Sequence, residues 1–137
     1  MDIYPLASRT TVASAARISG AFALLAVGAA HLQQYSADSY SAIPTIGTLF
    51  LLNFLGATVL ALGLLAPLPE RIHCALALGG VGLAASSLAG LYVSEHGGLF
   101  GFAEQGYRSA IVLSIVLEAA ALALLTVYFA TGAREAR

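Results

Sequence analysis

Four uninterrupted apolar runs of about 20 residues each decide what this chain can become. They cover roughly residues 15–35, 44–66, 72–94 and 107–131. At 1.5 Å per residue, a helix of ~20 residues matches the ~30 Å hydrocarbon core of a bilayer. In lipid every backbone amide needs an internal partner, so each run must be helical unless strands close into a barrel. Barrel strands would alternate polar and apolar residues over about ten positions, and these runs do not alternate. The expected fold is all-α: an integral membrane four-helix bundle, read as one four-pass transmembrane domain over residues 1–137.

Composition points the same way. The chain is 59% hydrophobic and 9% charged, whereas soluble domains carry about 25% charged residues. A large core cannot explain the deficit, because small domains have proportionally more surface. The net charge of −1 leaves no basic tract for nucleic acid and no acidic tail. Cys74 is the only cysteine, which excludes an internal disulfide or a Cys-x-x-Cys pair and reads as a small apolar residue. Residues 1–14 read as a short polar lead-in. The stretch Val27 to Ala30 resembles a signal cleavage site, but the apolar run before it is long for a signal peptide, so a retained helix is expected.

All six basic side chains are Arg, and their placement sets the orientation. Arg9 and Arg17 precede or open the first helix, Arg71 follows the second, and Arg134 and Arg137 follow the fourth. The opposite side holds only Arg108, beside Asp38, Glu95, His96 and Glu104. The positive-inside bias then places both termini in the cytoplasm. The longer loops fall outside. One contains Tyr35 and Tyr40; the other, residues 95–106, is expected to form a re-entrant or surface-lying turn on its glycines.

Polar groups within the runs are the candidate functional residues, because they are costly in hydrocarbon and face inward. Glu118 lies ~16 Å from the outer end of helix 4 and Asn53 ~13 Å from that of helix 2. Ser86 and Ser87 fall at a similar depth in helix 3, and His31 lies near the end of helix 1. Gln33, Glu95, His96 and Glu104 are placed to form a mouth. His31, Asn53, Ser86 and Glu118 thus form a candidate ligand-binding set. Each also has a structural reading: Ser114, one turn before Glu118, to satisfy its carboxyl; Asn53 as interhelical glue; the two serines bonded back to their own helix. His31, His96, Glu104 and Glu118 are the right types for a metal, and His31 with His96 for haem iron, but no two of these four are spaced as Glu-x-x-His or as His at i and i+4 on one helix. Gly82, Ser86 and Gly90 form a small-xxx-small stripe suited to close helix packing, within the bundle or against another copy or partner.

The run LNFLGATVLALGLL at residues 52–65, with RISG at 17–20 and GAAHL at 28–32, resembles the DoxX-like group of small four-helix bacterial membrane proteins, over roughly residues 1–90. Asn53 stands where that family carries an acid, which weakens a proton or metal role at this position. The resemblance implies a bacterial plasma membrane protein and an accessory subunit of a redox-linked membrane complex. That expectation rests on analogy. The alternative expectation is a redox or ligand-binding protein that holds haem, metal or quinone in a polar pocket in the outer half of the bundle. Proton-coupled solute transport ranks last, since the inner halves of the helices show almost no polar path.

Overall fold

A computed structural model describes residues 4–132, with side chains from residue 10 onward. Four helices follow in order: α1 (Tyr4–Ala37), α2 (Pro44–Leu65), α3 (Glu70–His96) and α4 (Ser109–Gly132), with a short 3-10 turn at Tyr40–Ala42. All four are long and apolar enough to cross a membrane, and the described residues contain no strand beyond an isolated bridge. The expected all-α, four-helix architecture is what the chain forms.

The boundaries differ from the sequence reading at one end. The polar lead-in is helical from Tyr4, with Pro5 in the first turn, where a missing N–H costs nothing. This extension belongs to the bundle, because Ala13 and Ala16 join the core around Leu64 and Tyr128. Arg134 and Arg137 lie outside the described residues. Arg17 and Arg71 share one end of the bundle, while Arg108 sits at the other with Asp38 and Glu104.

Size is distributed in reverse of a soluble protein. The interior is built from Ala21, Ala57, Ala61, Ala77, Ala84 and Ala121, with Leu24, Leu64 and Leu125 filling between them. Phe22, Leu52, Val59, Leu62, Leu78, Leu113 and Val116 face outward. Between helices in lipid there is no water to expel, so close backbone approach through small residues holds them together. On α4 the buried positions Ile111, Ser114, Glu118, Ala121, Leu125, Tyr128 and Gly132 recur at intervals of three and four, a single inward stripe.

α1 packs along both α2 and α4, and α3 packs on α4. The α2–α3 pair closes only toward its connecting loop, where Leu76 fits against Gly63, Leu60 against Gly79 and Leu83 against Gly56. Gly80 is the tightest point of the centre, since a β-carbon there would lie 2.5 Å from Leu125 Cδ1 and 3.0 Å from Leu24 Cδ1. Gly82 is different: nothing lies within 4 Å of its missing side chain. The Gly82–Ser86–Gly90 stripe therefore does not clasp a helix of this bundle at Gly82.

The α3–α4 connection forms the expected surface turn. Leu99 and Phe102 exchange backbone hydrogen bonds of 2.6 and 2.9 Å around Phe100 and Gly101. Both central residues have positive φ, 51° and 79°, the geometry of a type I′ hairpin turn. Ser94 fixes this turn to α3, donating to the Phe102 carbonyl and accepting from the Glu104 N–H.

Candidate functional site

Beyond Gly56, α2 and α3 border a cavity of about 450 Å³ instead of each other. Leu49, Phe50, Leu52 and Asn53 line it from α2; Leu83, Ser86, Ser87, Gly90, Leu91 and Ser94 line it from α3. Leu49, Leu52 and Ser86 are at once lining residues and exposed ones, so the cavity opens through the side of the bundle. By helical rise Leu52 is ~12 Å and Ser86 ~15 Å from the helix ends nearest Tyr40. The opening therefore lies near mid-length of two helices that are long enough to cross a bilayer.

The floor is polar and draws on three helices. His31 of α1, Ser87 of α3 and Glu118 of α4 converge, His31 Nε2 being 3.5 Å from Glu118 Oε1. Ser87 donates to Glu118 Oε1 at 2.5 Å, and its oxygen lies 3.3 Å from His31 Nε2. His31 Nδ1 is 3.0 Å from the Val27 carbonyl, which can only accept, so Nδ1 carries a proton. Beside this group Gln34 of α1, 1% exposed, donates to Ser114 of α4 at 2.7 Å and to the Ala30 carbonyl at 3.3 Å.

Aromatic rings form the roof. Tyr40 stacks on Phe50 with centroids 4.6 Å apart, meets Phe102 edge-on at 5.6 Å, and Phe50 in turn leans on the His31 ring at 5.0 Å. The Tyr40 hydroxyl is bound between the Glu104 carboxylate and Arg108 Nη2. Arg108 also pairs with Asp38 and Glu104, each at 3.6 Å. Burial pushes the Tyr40 hydroxyl well above its ordinary value, the Glu104 bond and charge reinforce the shift, and Arg108 opposes it. A smaller cavity of about 260 Å³ lies on the far side of this cap and shares Tyr40, Phe102 and Glu104 with the larger one.

His31, Asn53, Ser86 and Glu118, the set named from sequence, all line this one cavity. Details differ. Ser87, not Ser114, satisfies Glu118, while Ser114 serves Gln34. Ser86 bonds back to the Leu83 carbonyl as expected, but Ser87 reaches across the bundle. Of the expected mouth residues, Glu104 lines the cavity, Gln33 is exposed, and Glu95 and His96 are not lining residues. The candidate metal set of His31, His96, Glu104 and Glu118 is not gathered at one point. His96 is exposed and stacked on Tyr92 at 4.1 Å, and no three metal-ligating side chains converge among the described residues. A His31–His96 haem ligation is likewise not assembled.

Ser87, His31 and Glu118 have the inventory of a hydrolytic triad but not its wiring. The hydroxyl donates to the carboxylate, and the imidazole is oriented by a backbone carbonyl. In a triad the imidazole stands between the two and takes the hydroxyl proton. What the arrangement can do is hold or share one proton between His31 and Glu118 and present acceptors to a bound molecule.

At the other end of the bundle a second polar group was not anticipated. Arg17 donates to the Leu64 carbonyl at the end of α2 and lies 3.3 Å from His73 Nε2. His73 also contacts the Ala66 carbonyl at 2.9 Å and Glu70 at 3.9 Å, and Glu70 accepts from Tyr128. Cys74 is half-buried near Glu70 and Tyr128, not sealed in the core. The half of the bundle that holds Arg17 is thus not wholly apolar. Leu24, Leu64 and Leu125, all fully buried, nevertheless separate it from the His31 group, which is ~21 Å from Arg17 along α1.

No family model, curated protein or solved structure matches the chain.

Proposed function

We propose that this membrane protein binds a small amphipathic molecule, which it takes from the bilayer through the gap between α2 and α3. One observation carries the reading: a cavity with a polar floor and aromatic roof that opens sideways near mid-length of α2 and α3, bordered by Leu52 and Ser86. Ligand sites are typically concave, mostly apolar pockets of ~300–1,000 Å³ with a few convergent polar groups, and this cavity fits that description. A tail would remain between the helices while a polar ring or head group meets His31, Ser87 and Glu118.

Among the chemical classes expected from sequence, a quinone-type ring suits the cavity better than haem or a metal ion. A flat ring finds Phe50, Tyr40 and Phe102 on its faces, and its oxygens find hydrogen-bonding groups on the floor. The resemblance of roughly residues 1–90 to DoxX-like proteins, some of them linked to quinones, points the same way. The five-arginine side would face the cytoplasm of a bacterial cell, leaving the cavity in the outer half of the plasma membrane. The accessory-subunit reading retains one supporting feature, the open face at Gly82, where a helix of another copy or partner has room.

Solvent extraction and mass spectrometry of the protein purified in mild detergent test the binding reading. The expected result is one lipophilic compound in near-stoichiometric amount, lost from Ser86→Trp, which fills the opening. Extracts free of any such compound, or equal recovery from the variant, would contradict it.

A further inference from the structure

The hydrogen-bonding groups of the cavity are unequally spent, and the imbalance indicates the ligand. Its donors are largely used within the protein. Gln34 Nε2 is committed to Ser114 and Ala30, Ser86 to Leu83, Ser87 to Glu118, Ser94 to Phe102 and the Tyr40 hydroxyl to Glu104. The acceptors are not. Gln34 Oε1 and Asn53 Oδ1 are buried with no hydrogen-bond partner. The orientation of the Gln34 amide is not open to exchange, because only its nitrogen can donate to the Ala30 carbonyl. His31 Nε2 is not among the free acceptors, since it faces Ser87 and Glu118. The hydrogens left to a ligand are that of the Ser114 hydroxyl, whose oxygen accepts from Gln34, those of the Asn53 amide, and the one shared between His31 and Glu118.

A buried acceptor without a partner costs ~1–3 kcal/mol, and in lipid no water is at hand to relieve it. The two orphan oxygens are relieved by a molecule that brings hydrogens. Its charge follows from the same residues. Sharing one proton, His31 and Glu118 carry zero net charge at the floor of the cavity, whether that proton sits on the ring or on the carboxyl, while Arg108 pairs with both Glu104 and Asp38 in the cap. A neutral donor fits; an ammonium would leave an uncompensated charge in hydrocarbon.

Resting on the binding reading above, we infer that the cavity selects a neutral dihydroxy-aromatic head group on an alkyl tail, a hydroquinone, over the dione of the same carbon skeleton. The two forms share shape, stacking surface and tail. They differ in whether the oxygens bring hydrogens to Gln34 Oε1 and Asn53 Oδ1. Two hydrogen bonds gained or lost in an apolar site correspond to roughly a tenfold to hundredfold difference in affinity.

Calorimetric titration of the protein in nanodiscs with a decyl-substituted hydroquinone under reducing, anaerobic conditions, and separately with the matching decyl-benzoquinone, tests this. The expected result is at least tenfold tighter binding of the hydroquinone. Gln34→Met keeps the side-chain length and removes the orphan oxygen; Asn53→Leu does the same at a less buried position, so one folded variant is secured. Gln34→Met should weaken hydroquinone binding about tenfold and leave the benzoquinone unchanged, whereas Asn53→Leu, which also removes an amide donor, should weaken the hydroquinone more than the benzoquinone. Equal affinity for the two forms, or tighter binding of the dione, overturns the selectivity while leaving the binding site in place. Binding of neither overturns the site itself and this inference with it.

Discussion

His31 and Glu118 stand 3.5 Å apart, on helices adjacent in the bundle but 87 positions apart in sequence, and the Ser87 hydroxyl from α3, which packs on α4, touches both. A polar point shared by three helices in an otherwise apolar interior fixes their rotation as well as their contact. Any sliding of α3 would leave a buried carboxyl or imidazole without its partner.

Replacement of Glu118 should therefore depend on what replaces it. Glu118→Gln retains a carbonyl that can accept from Ser87 and should cost under about 1 kcal/mol, in line with the ~0.6 kcal/mol typical of such bonds between membrane helices. Glu118→Ala strands Ser87 and opens a void, and should cost ~2–3 kcal/mol. Thermal unfolding in mild detergent, followed by circular dichroism, ranks the two. A larger loss for Gln than for Ala would deny the carboxyl its role as acceptor.

Two glycines two residues apart on α3 should respond in opposite directions. Gly80→Ala drives a methyl against Leu125 and Leu24, both fully buried, with an expected loss of ~1–3 kcal/mol. Gly82→Ala meets nothing and should gain ~0.5–1 kcal/mol from helix propensity. The melting temperatures of the two variants decide the matter.

Arg17 ties α1 to the end of α2 through the Leu64 carbonyl and borders His73, which holds Ala66. Hydrogen bonds from charged donors contribute ~1.5–3 kcal/mol. Arg17→Met should therefore lower stability by ~1–3 kcal/mol and expose the 66–69 connection to limited proteolysis. A cleavage rate there unchanged from wild type would show that the tie contributes little.

Tyr40 offers a test at alkaline pH. Its folded value is raised, so the folded state keeps the phenolic proton when the unfolded chain gives it up. The stabilisation is fully present below the ordinary tyrosine value near 10 and is lost as pH rises through the higher folded value. The difference in tyrosinate absorbance between wild type and Tyr40→Phe should show no Tyr40 ionisation between about pH 9 and 11. Half-ionisation near pH 10 would mean that the hydroxyl is solvated rather than held by Glu104.

The membrane architecture was legible because lipid imposes a simple rule on length and hydropathy, and each of α2, α3 and α4 met it within two residues of the expected limits. The extension of α1 to Tyr4 was not legible, since residues 4–14 are polar enough to read as a tail; they are helical because the small Ala13 and Ala16 fit the core beside Tyr128. Glu118, Asn53 and His31, grouped by depth in the sequence, line one cavity. Gln34 was passed over as a loop residue, although Val27, His31 and Gln34 repeat at intervals of four and three, which puts all three on the inward face. Two facts could not be read from one dimension: that Ser87 and not Ser86 turns inward, and that His73 meets Arg17 across 56 positions. Both depend on helix rotation, which these nearly uniform apolar faces do not encode.

Photo-crosslinking in vesicles that carry an alkyl-diazirine analogue of the benzoquinone–hydroquinone ring tests most directly whether the cavity takes its ligand from the bilayer. A cavity open between α2 and α3 requires saturable labelling concentrated in peptides containing Leu49 to Asn53 and Leu83 to Gly90, displaced by unlabelled compound. Labelling spread evenly over the outward residues Val59, Leu113 and Val116, and not displaced, would contradict it.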